Sequence, residues 1–420
     1  MRGLSTIACL LIACGIGFSV ARQSTPTISQ QGPAAASAQP ADAQRVRAEI
    51  RAVENVLPKI PDRGAALFLL ARQYAHLGEL QKALVLLKEC VALDAGFDPE
   101  PAESPSLRVL TSNTEFRSML ERVRRRYPPV HKARVAFTVP AMDLFPEGLA
   151  VDTEKKLFYM GSMHRKKIVK FALDGSVSDF VKQDVYDLMP IGGIHVDPAD
   201  HSVWASTDAG EKHRPELLHF DAQGKLLERY ASPGKTPYDL NDLVLRGSRE
   251  IFTTDTEGNH VYRFDRASHR FTEMKLHRPV FYPNGITLSG NENLLFVADM
   301  LGIIRVDLLS DESEDVDPGA HNTLSGIDGL YWNKGEFLGV QYGTGAYRVM
   351  RWRLSPDGRK VTASQILEYR TRLVSDPTTG TVVGDNFYFI ANTGIYNLED
   401  DKIVDPSKLE RVHIAVVALK

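Results

Sequence analysis

From about residue 140 onward, apolar runs of three or four residues alternate with polar turns, and they come in recurring pairs. Leu149-Ala150-Val151 is followed after a turn by Leu157-Phe158-Tyr159, and Ile286-Thr287-Leu288 by Leu295-Phe296-Val297. The second run of the pair returns at Val203-Trp204-Ala205, Ile251-Phe252-Thr253, Phe337-Leu338-Gly339 and Phe387-Tyr388-Phe389. Runs this short, rich in Val, Ile, Phe and Tyr and bounded by Gly, Asn and Asp, predict β-strands. A related tetrapeptide opens each unit: Pro146-Glu147-Gly148-Leu149, Ile191-Gly192-Gly193-Ile194, Leu240-Asn241-Asp242-Leu243, Pro283-Asn284-Gly285-Ile286 and Ile327-Asp328-Gly329-Leu330, with a degenerate copy at Thr379-Gly380-Thr381-Val382. An all-β unit repeating every roughly 40–50 residues predicts a propeller. Six copies predict six blades over residues 132–420.

In that fold the first strand of every blade lines a central channel, and all six begin at one face. The residue before the recurrent glycine therefore occupies one ring: Glu147, Gly192, Asn241, Asn284, Asp328 and Thr379. Two carboxylates and two amides converge, which is an oxygen-rich site for a hard divalent cation. Ala133 to Val139 reads as a strand without a blade, and His413 to Leu419 as a strand in a blade lacking its outer member. The two are expected to pair and close the ring, leaving no long free edge.

The pattern before residue 130 has a different period. Apolar positions from Arg45 to Ile60 recur at helical spacing, a helix-turn-helix follows from Gly64 to Leu93 around Gly78, and Phe116, Leu120 and Val123 mark a further helix. The mixture of small and large residues at Leu67, Leu70, Ala71, Tyr74, Ala83, Leu87 and Cys90 resembles one tetratricopeptide unit, giving a small all-α helical-hairpin domain over 46–128. Such a unit stacks poorly alone. It is expected to lean on the propeller or on a partner, and to serve as a cap or as a docking module for a protein.

Residues 1–21 combine Arg2, an apolar run and the ending Ser19-Val20-Ala21, which reads as a signal peptide and predicts export to the periplasm or beyond. Leu11-Ile12-Ala13-Cys14 offers a second reading, a lipid anchor at Cys14. The stretch 22–45, rich in Ser, Thr, Pro, Gln and Ala, is expected to be a flexible leader. Only Cys90 survives ordinary processing, so no internal disulfide is expected. The 50 basic and 53 acidic residues are balanced, with no basic tract beyond Arg124-Arg125-Arg126 and Arg165-Lys166-Lys167, and nothing in them points to nucleic acid. Nucleophile-elbow, zinc-protease and dinucleotide motifs are absent.

Glu147-Gly148, Asn241-Asp242-Leu243-Val244, Pro283-Asn284-Gly285-Ile286 and Asp328-Gly329-Leu330, in that order and at blade spacing, resemble the senescence marker protein / gluconolactonase family of six-bladed propellers. Leu149 stands where many members have proline. The resemblance implies one divalent cation, calcium before zinc, manganese or magnesium, held by Glu147, Asn241, Asn284 and Asp328. It further implies hydrolysis of a small-molecule lactone or related ester, with Asp328 as both ligand and base. The ends of the second strands, at Asp208, Asp255, Asp299, Gln341 and Asn392, belong to the same face. From these, Asp299 and Asp255 are second candidates for the base, and Asp255 and neighbouring Tyr342 are candidate substrate contacts. His195 is a candidate acid or base and His164 a candidate substrate contact. The rival expectation is a propeller that binds a ligand or partner without turnover; a strictosidine-synthase-like or arylesterase-like propeller is a third.

Overall fold

The computed structural model describes residues 40–209, 213–233, 239–399 and 401–420. The expected signal peptide and most of the expected leader lie outside them. The chain forms a six-bladed β-propeller preceded by four helices. The blades open with the strands Leu149–Asp152, Ile191–Val196, Leu243–Arg246, Ile286–Leu288, Ile327–Asn333 and Gly380–Val383, each pairing antiparallel with the next strand of its blade. Ring closure is as the orphan strands imply: Arg134–Val139 pairs with Val412–Ala418, Arg134 opposite Val416, and becomes the outermost strand of blade six. Blade five carries a fifth strand, Val130–His131, paired to Val361–Tyr369.

The glycines of the recurrent tetrapeptide have a packing reason. A Cβ at Gly148 would run into the Gly192 carbonyl of blade two, and one at Gly285 into the Asp328 carbonyl of blade five. Glycine here lets neighbouring first strands approach backbone to backbone where the channel is tightest. Between blades, layers of Phe, Leu, Ile and Val interdigitate, as in the set Phe296, Ile327, Phe337 and Trp352.

The helices are α1 (Pro40–Val56), α2 (Arg63–His76), α3 (Leu80–Ala92) and α4 (Thr114–Arg126). Helix α1 begins at Pro40, so the end of the expected leader is helical rather than flexible. It also stops at Val56, before the expected Ile60. Helix α2 is buried over 11 of its 14 residues, Arg72 and Gln73 among them, so it is covered on nearly every side rather than on one face. One side packs Ala65, Phe68, Ala71 and Ala75 against Ala83, Leu87 and Cys90. The other side, with Ala66, Leu69 and Leu70, joins Val46, Ile50 and Val53 of α1 against Phe281, Met300, Leu301, Tyr342 and Tyr347 of the propeller.

These propeller residues all lie in loops at the face where the first strands begin. The helical segment therefore covers the ring face over blades four and five. Polar contacts fix it there. Asp62 caps α2 through Ala65 N (3.1 Å) and accepts from Thr323 Oγ1 (2.7 Å) and Leu324 N (2.8 Å). Asp98 accepts from Tyr369 Oη and Arg370, and its N–H donates to Thr344 O (2.7 Å). Arg348, buried in blade five, donates to Gln341 Oε1 (2.7 Å) and to Gly96 O (3.2 Å). Cys90 is buried and free.

Candidate metal and hydrolase site

Glu147, Asn241 and Asn284 are fixed through their backbones, which leaves their side chains for the channel. Asn241 N donates to Thr254 O (2.8 Å) in its own blade, and Asn284 N to Ala298 O (2.9 Å). Their carbonyls are held by hydroxyls of the preceding blade: Ser206 Oγ on Asn241 O (2.7 Å) and Thr254 Oγ1 on Asn284 O (2.8 Å). The Glu147 carbonyl accepts from the hydroxyls of Thr378 and Thr379 across the closure of the ring.

All four expected ligands are buried, Glu147 and Asn241 at 6% exposure, Asn284 at 3% and Asp328 at 1%. Two of their oxygens, Asn284 Oδ1 and Asp328 Oδ1, have no hydrogen-bond partner. A buried oxygen left without a partner costs about 1–3 kcal/mol, so such atoms are rare away from functional sites. Burial, with the Asp328 charge next, pushes the Glu147 carboxyl well above its ordinary range. Burial, then the Asp242 charge, raises Asp328 to about 7. A cation among these atoms would satisfy both unpartnered oxygens and offset the repulsion. Among the described residues no three His, Cys, Asp or Glu side chains form a metal cluster by themselves. The ring combines two carboxylates with two amides instead, and this donor set suits a hard divalent ion.

Asp242, at the position where the other five blades carry glycine, is a channel acid that the ring slot alone did not pick out. Its Oδ1 accepts from Leu243 N (2.8 Å) and its Oδ2 from Ile286 N in the next blade (3.3 Å), and burial raises it to about 7. Below the ring the channel holds a cavity of about 120 Å³ lined by Asp242, Thr287, Tyr331, Thr381 and His195.

Other candidates are placed differently from the expectation. Asp299 is not positioned as a base: both its oxygens accept from Arg278 (2.6 and 3.1 Å) and also from Phe281 N (3.1 Å) and Leu301 N (2.8 Å), all buried. Its four acceptor sites are used in holding the loop between blades three and four. His195 lies four residues into its strand, in the channel rather than at the mouth, with Nδ1 against Val196 O (3.0 Å) and its pKa lowered by burial. Tyr342 is packed beneath the helices at 5% exposure, so it is covered rather than open to a substrate. His164 stands edge-on to Phe145 (5.8 Å), two residues before Glu147, with Asp401 3.5 Å away.

Asp255 stays with the ring face. Its Oδ1 accepts from Gly258 N (2.7 Å) while Oδ2 has no partner, and burial raises it to about 8, the Asp239 charge adding to the effect. Asp239 and Asp208 face each other across blades two and three, and both act on Glu147. Helix α1 reaches this side too: Tyr282 Oη donates to Glu49 Oε2 (2.9 Å), and the Arg45 charge is felt by Glu257.

No family model matches the sequence, and no curated protein matches it. Solved structures similar in fold include a gluconolactonase from Xanthomonas campestris, at 16% identity and TM-score 0.48, over 70% of this chain and 91% of that one. The calcium-binding protein regucalcin from Agrobacterium tumefaciens follows at 16% and 0.47, over 68% and 93%. A virginiamycin B lyase from Staphylococcus aureus shows 13% and 0.45, over 68% and 99%.

Proposed function

We propose that this protein is an exported, metal-dependent hydrolase that opens a lactone or cleaves a related ester at the ring face of the propeller. The observation that carries this reading is the set Glu147, Asn241, Asn284 and Asp328, with two buried oxygens lacking partners at the end of one channel. These four residues would hold one divalent cation, calcium first by donor type, and the bound ion would polarise the substrate carbonyl and favour charge developing on its oxygen.

The chain's own residues supply the rest. Asn241 and Asn284 have their backbones bonded on both sides and Glu147 is held through its carbonyl, so the site is fixed before any ligand arrives. Asp328 presents an oxygen without a partner, able to take a proton from an attacking water and return it to the departing alkoxide. The helices over blades four and five narrow solvent access to that face. A rival, non-catalytic propeller that displays its helices to a protein partner has less support, because the apolar faces of α1 and α2 are already occupied by propeller loops.

The test is hydrolysis of a panel of aldonolactones, acyl lactones and aryl esters, before and after chelation, with calcium, zinc, manganese or magnesium restored. Activity that disappears with chelator, returns with one ion and is lost in Asn284→Ala and Asp328→Ala supports the proposal. Absence of turnover across the panel while an ion still binds would move the reading to ligand binding.

A further inference from the structure

Blade six differs from the other five at the ring face. There the chain turns from the second strand of each blade into the third, over two to eight residues in blades one to five but over residues 391–411 in blade six. This longer segment is pinned. Asn392 donates to Arg411 O (3.0 Å) and accepts from His413 N (2.7 Å), Asn397 exchanges two bonds with Asp405 (2.8 Å each), and Lys166 of blade one donates to Asp401 (2.6 Å). Across from it stand Ala102, Glu103, Pro105 and Arg108, from the chain between α3 and α4, and between the two walls lies a cavity of about 710 Å³.

The cavity adjoins the ring. Of its lining residues, Phe145 lies two positions before Glu147 and Asp376 three before Thr379. Tyr396 turns its hydroxyl onto Tyr347 Oη (2.5 Å); burial of that hydroxyl raises its pKa, and the charges of Asp376, Glu103 and Asp328 add to the effect. The surface offered is apolar: Met142, Tyr396 and Val404 are 48%, 57% and 58% exposed, with Leu409 half-buried beside them. Single exposed apolar side chains are ordinary, but three around one cavity of small-molecule size mark a binding surface. The charged groups along the walls are engaged with the chain or lie at the rim. Arg108 donates to Pro101 O (3.1 Å), Lys408 pairs with Asp405 (3.5 Å), and both oxygens of Asp376 accept hydrogen bonds. Burial, then the Glu100 and Asp376 charges, raise Glu103 to about 7, and Glu410 is exposed.

Resting on the hydrolase reading of the ring, we propose that this cavity holds an uncharged apolar arm of the substrate, an alkyl chain or an aromatic ring, while the ester or lactone carbonyl lies at the ring. The compound cleaved is then an alkyl- or aryl-bearing ester or lactone rather than a polyhydroxylated one, whose hydroxyls would lose water against Met142, Val404 and Leu409 without hydrogen bonds in return. Water still supplies the hydroxyl that joins the carbonyl carbon and the proton that leaves with the alkoxide. The arm decides which compound is cleaved, not which bond.

Binding is read first and without turnover. On the full chain, butanamide, hexanamide, octanamide and phenylbutanamide compete with the uncharged fluorescent probe Nile red. Affinity is expected to rise about threefold per added methylene along the alkyl series, and to fall about tenfold for octanamide in Met142→Asp and in Val404→Asp. Both side chains are half-exposed, so neither exchange opens the core. A flat series, or an octanamide affinity unchanged in both variants, overturns the proposal. Tighter binding of phenylbutanamide than of octanamide supports it with a ring as the arm, and the reverse order supports it with a chain. Methyl butanoate, methyl octanoate, γ-butyrolactone and γ-decalactone are then run as substrates. Graded binding with none of them cleaved removes the hydrolase reading and leaves an apolar ligand site, whereas cleavage of short and long members at equal kcat/KM removes the arm and leaves the hydrolase.

Discussion

Replacing Asp62 by alanine should loosen the helical segment from the propeller. Its carboxylate, 4% exposed, accepts three bonds at once: Ala65 N at the start of α2, and Thr323 Oγ1 and Leu324 N in the loop entering blade five. Loss of the cap costs about 1 kcal/mol. Leaving the two propeller donors buried and unpaired costs about 1–3 kcal/mol each. Against this stands the burial of the charge, which raises the Asp62 pKa from 3.8 to about 6, an offset of about 3 kcal/mol at neutral pH. The net expectation at pH 7.5 is about 0–4 kcal/mol of destabilisation, rising to about 3–7 kcal/mol at low pH where the burial offset is absent.

The pH dependence has a definite sign. Because the folded pKa lies above the unfolded one, the folded state holds the extra proton between pH 3.8 and about 6. The stability this contributes is complete below the lower value and is lost as pH rises through the upper. Asp62→Ala lacks that slope, so its deficit relative to the parent should be larger at pH 4 than at pH 7.5. The three tryptophans, Trp204, Trp332 and Trp352, all lie in the propeller, so their fluorescence follows the blades while far-ultraviolet circular dichroism at the helical minimum follows the helices. In urea the helical transition of the variant should move to lower denaturant than the tryptophan transition. Coincident transitions within about 0.5 kcal/mol of the parent at both pH values would refute the assignment of Asp62 as the tie between helices and propeller.

Three further outcomes are expected. Gly285→Ala drives a methyl group into the Asp328 carbonyl and Leu330, and should cost about 1–3 kcal/mol, read as a lower calorimetric midpoint and weaker cation binding. Arg278→Met strands the buried Asp299 charge and should cost about 3–5 kcal/mol in urea unfolding, whereas Asp299→Asn should leave turnover per folded molecule unchanged. Calcium at about a hundred times its Kd should stabilise the parent by about 2.7 kcal/mol, and Asp328→Ala should abolish that increment in a thermal-shift titration.

What could be read in the sequence was whatever repeats. A polar residue followed by glycine at the start of each blade is visible because both halves of the motif have a fixed cause: the glycine lets strands touch, as at Gly148 and Gly285, and the polar residue meets its counterparts in the channel. The closing strand was visible for a related reason, since an unpaired edge at each end of the chain has one economical solution. Non-repeating contacts were not visible. Arg278 comes from an inter-blade loop 21 residues before Asp299, and no periodicity joins them. The seat of the helices on the ring face depends on α2 carrying apolar residues on two opposite sides, a pattern that says the helix is central without saying what covers its second side. Tyr342 was misplaced for the same reason: its position at a strand end was right, but the helices above it were unknown.

The contrast among buried acids is what connects the fold to chemistry. Glu368 is fully buried, and its two oxygens accept from His131 Nδ1 (2.7 Å), Thr371 Oγ1, Lys132 N (2.9 Å) and Ala133 N (2.9 Å). Asp376 accepts from Ser375, Thr393 and Gly394, and Asp299 from Arg278 and two backbone amides. These carboxylates hold loops together, and their lone pairs are used. Asp328 and Asp255 are equally buried yet keep an oxygen without a partner, and Asn284 does the same at the ring. At the ring the two oxygens without a partner, Asn284 Oδ1 and Asp328 Oδ1, belong to neighbouring blades and sit in the same ring of carboxylates and amides, so the partner that completes both together is a cation arriving from outside.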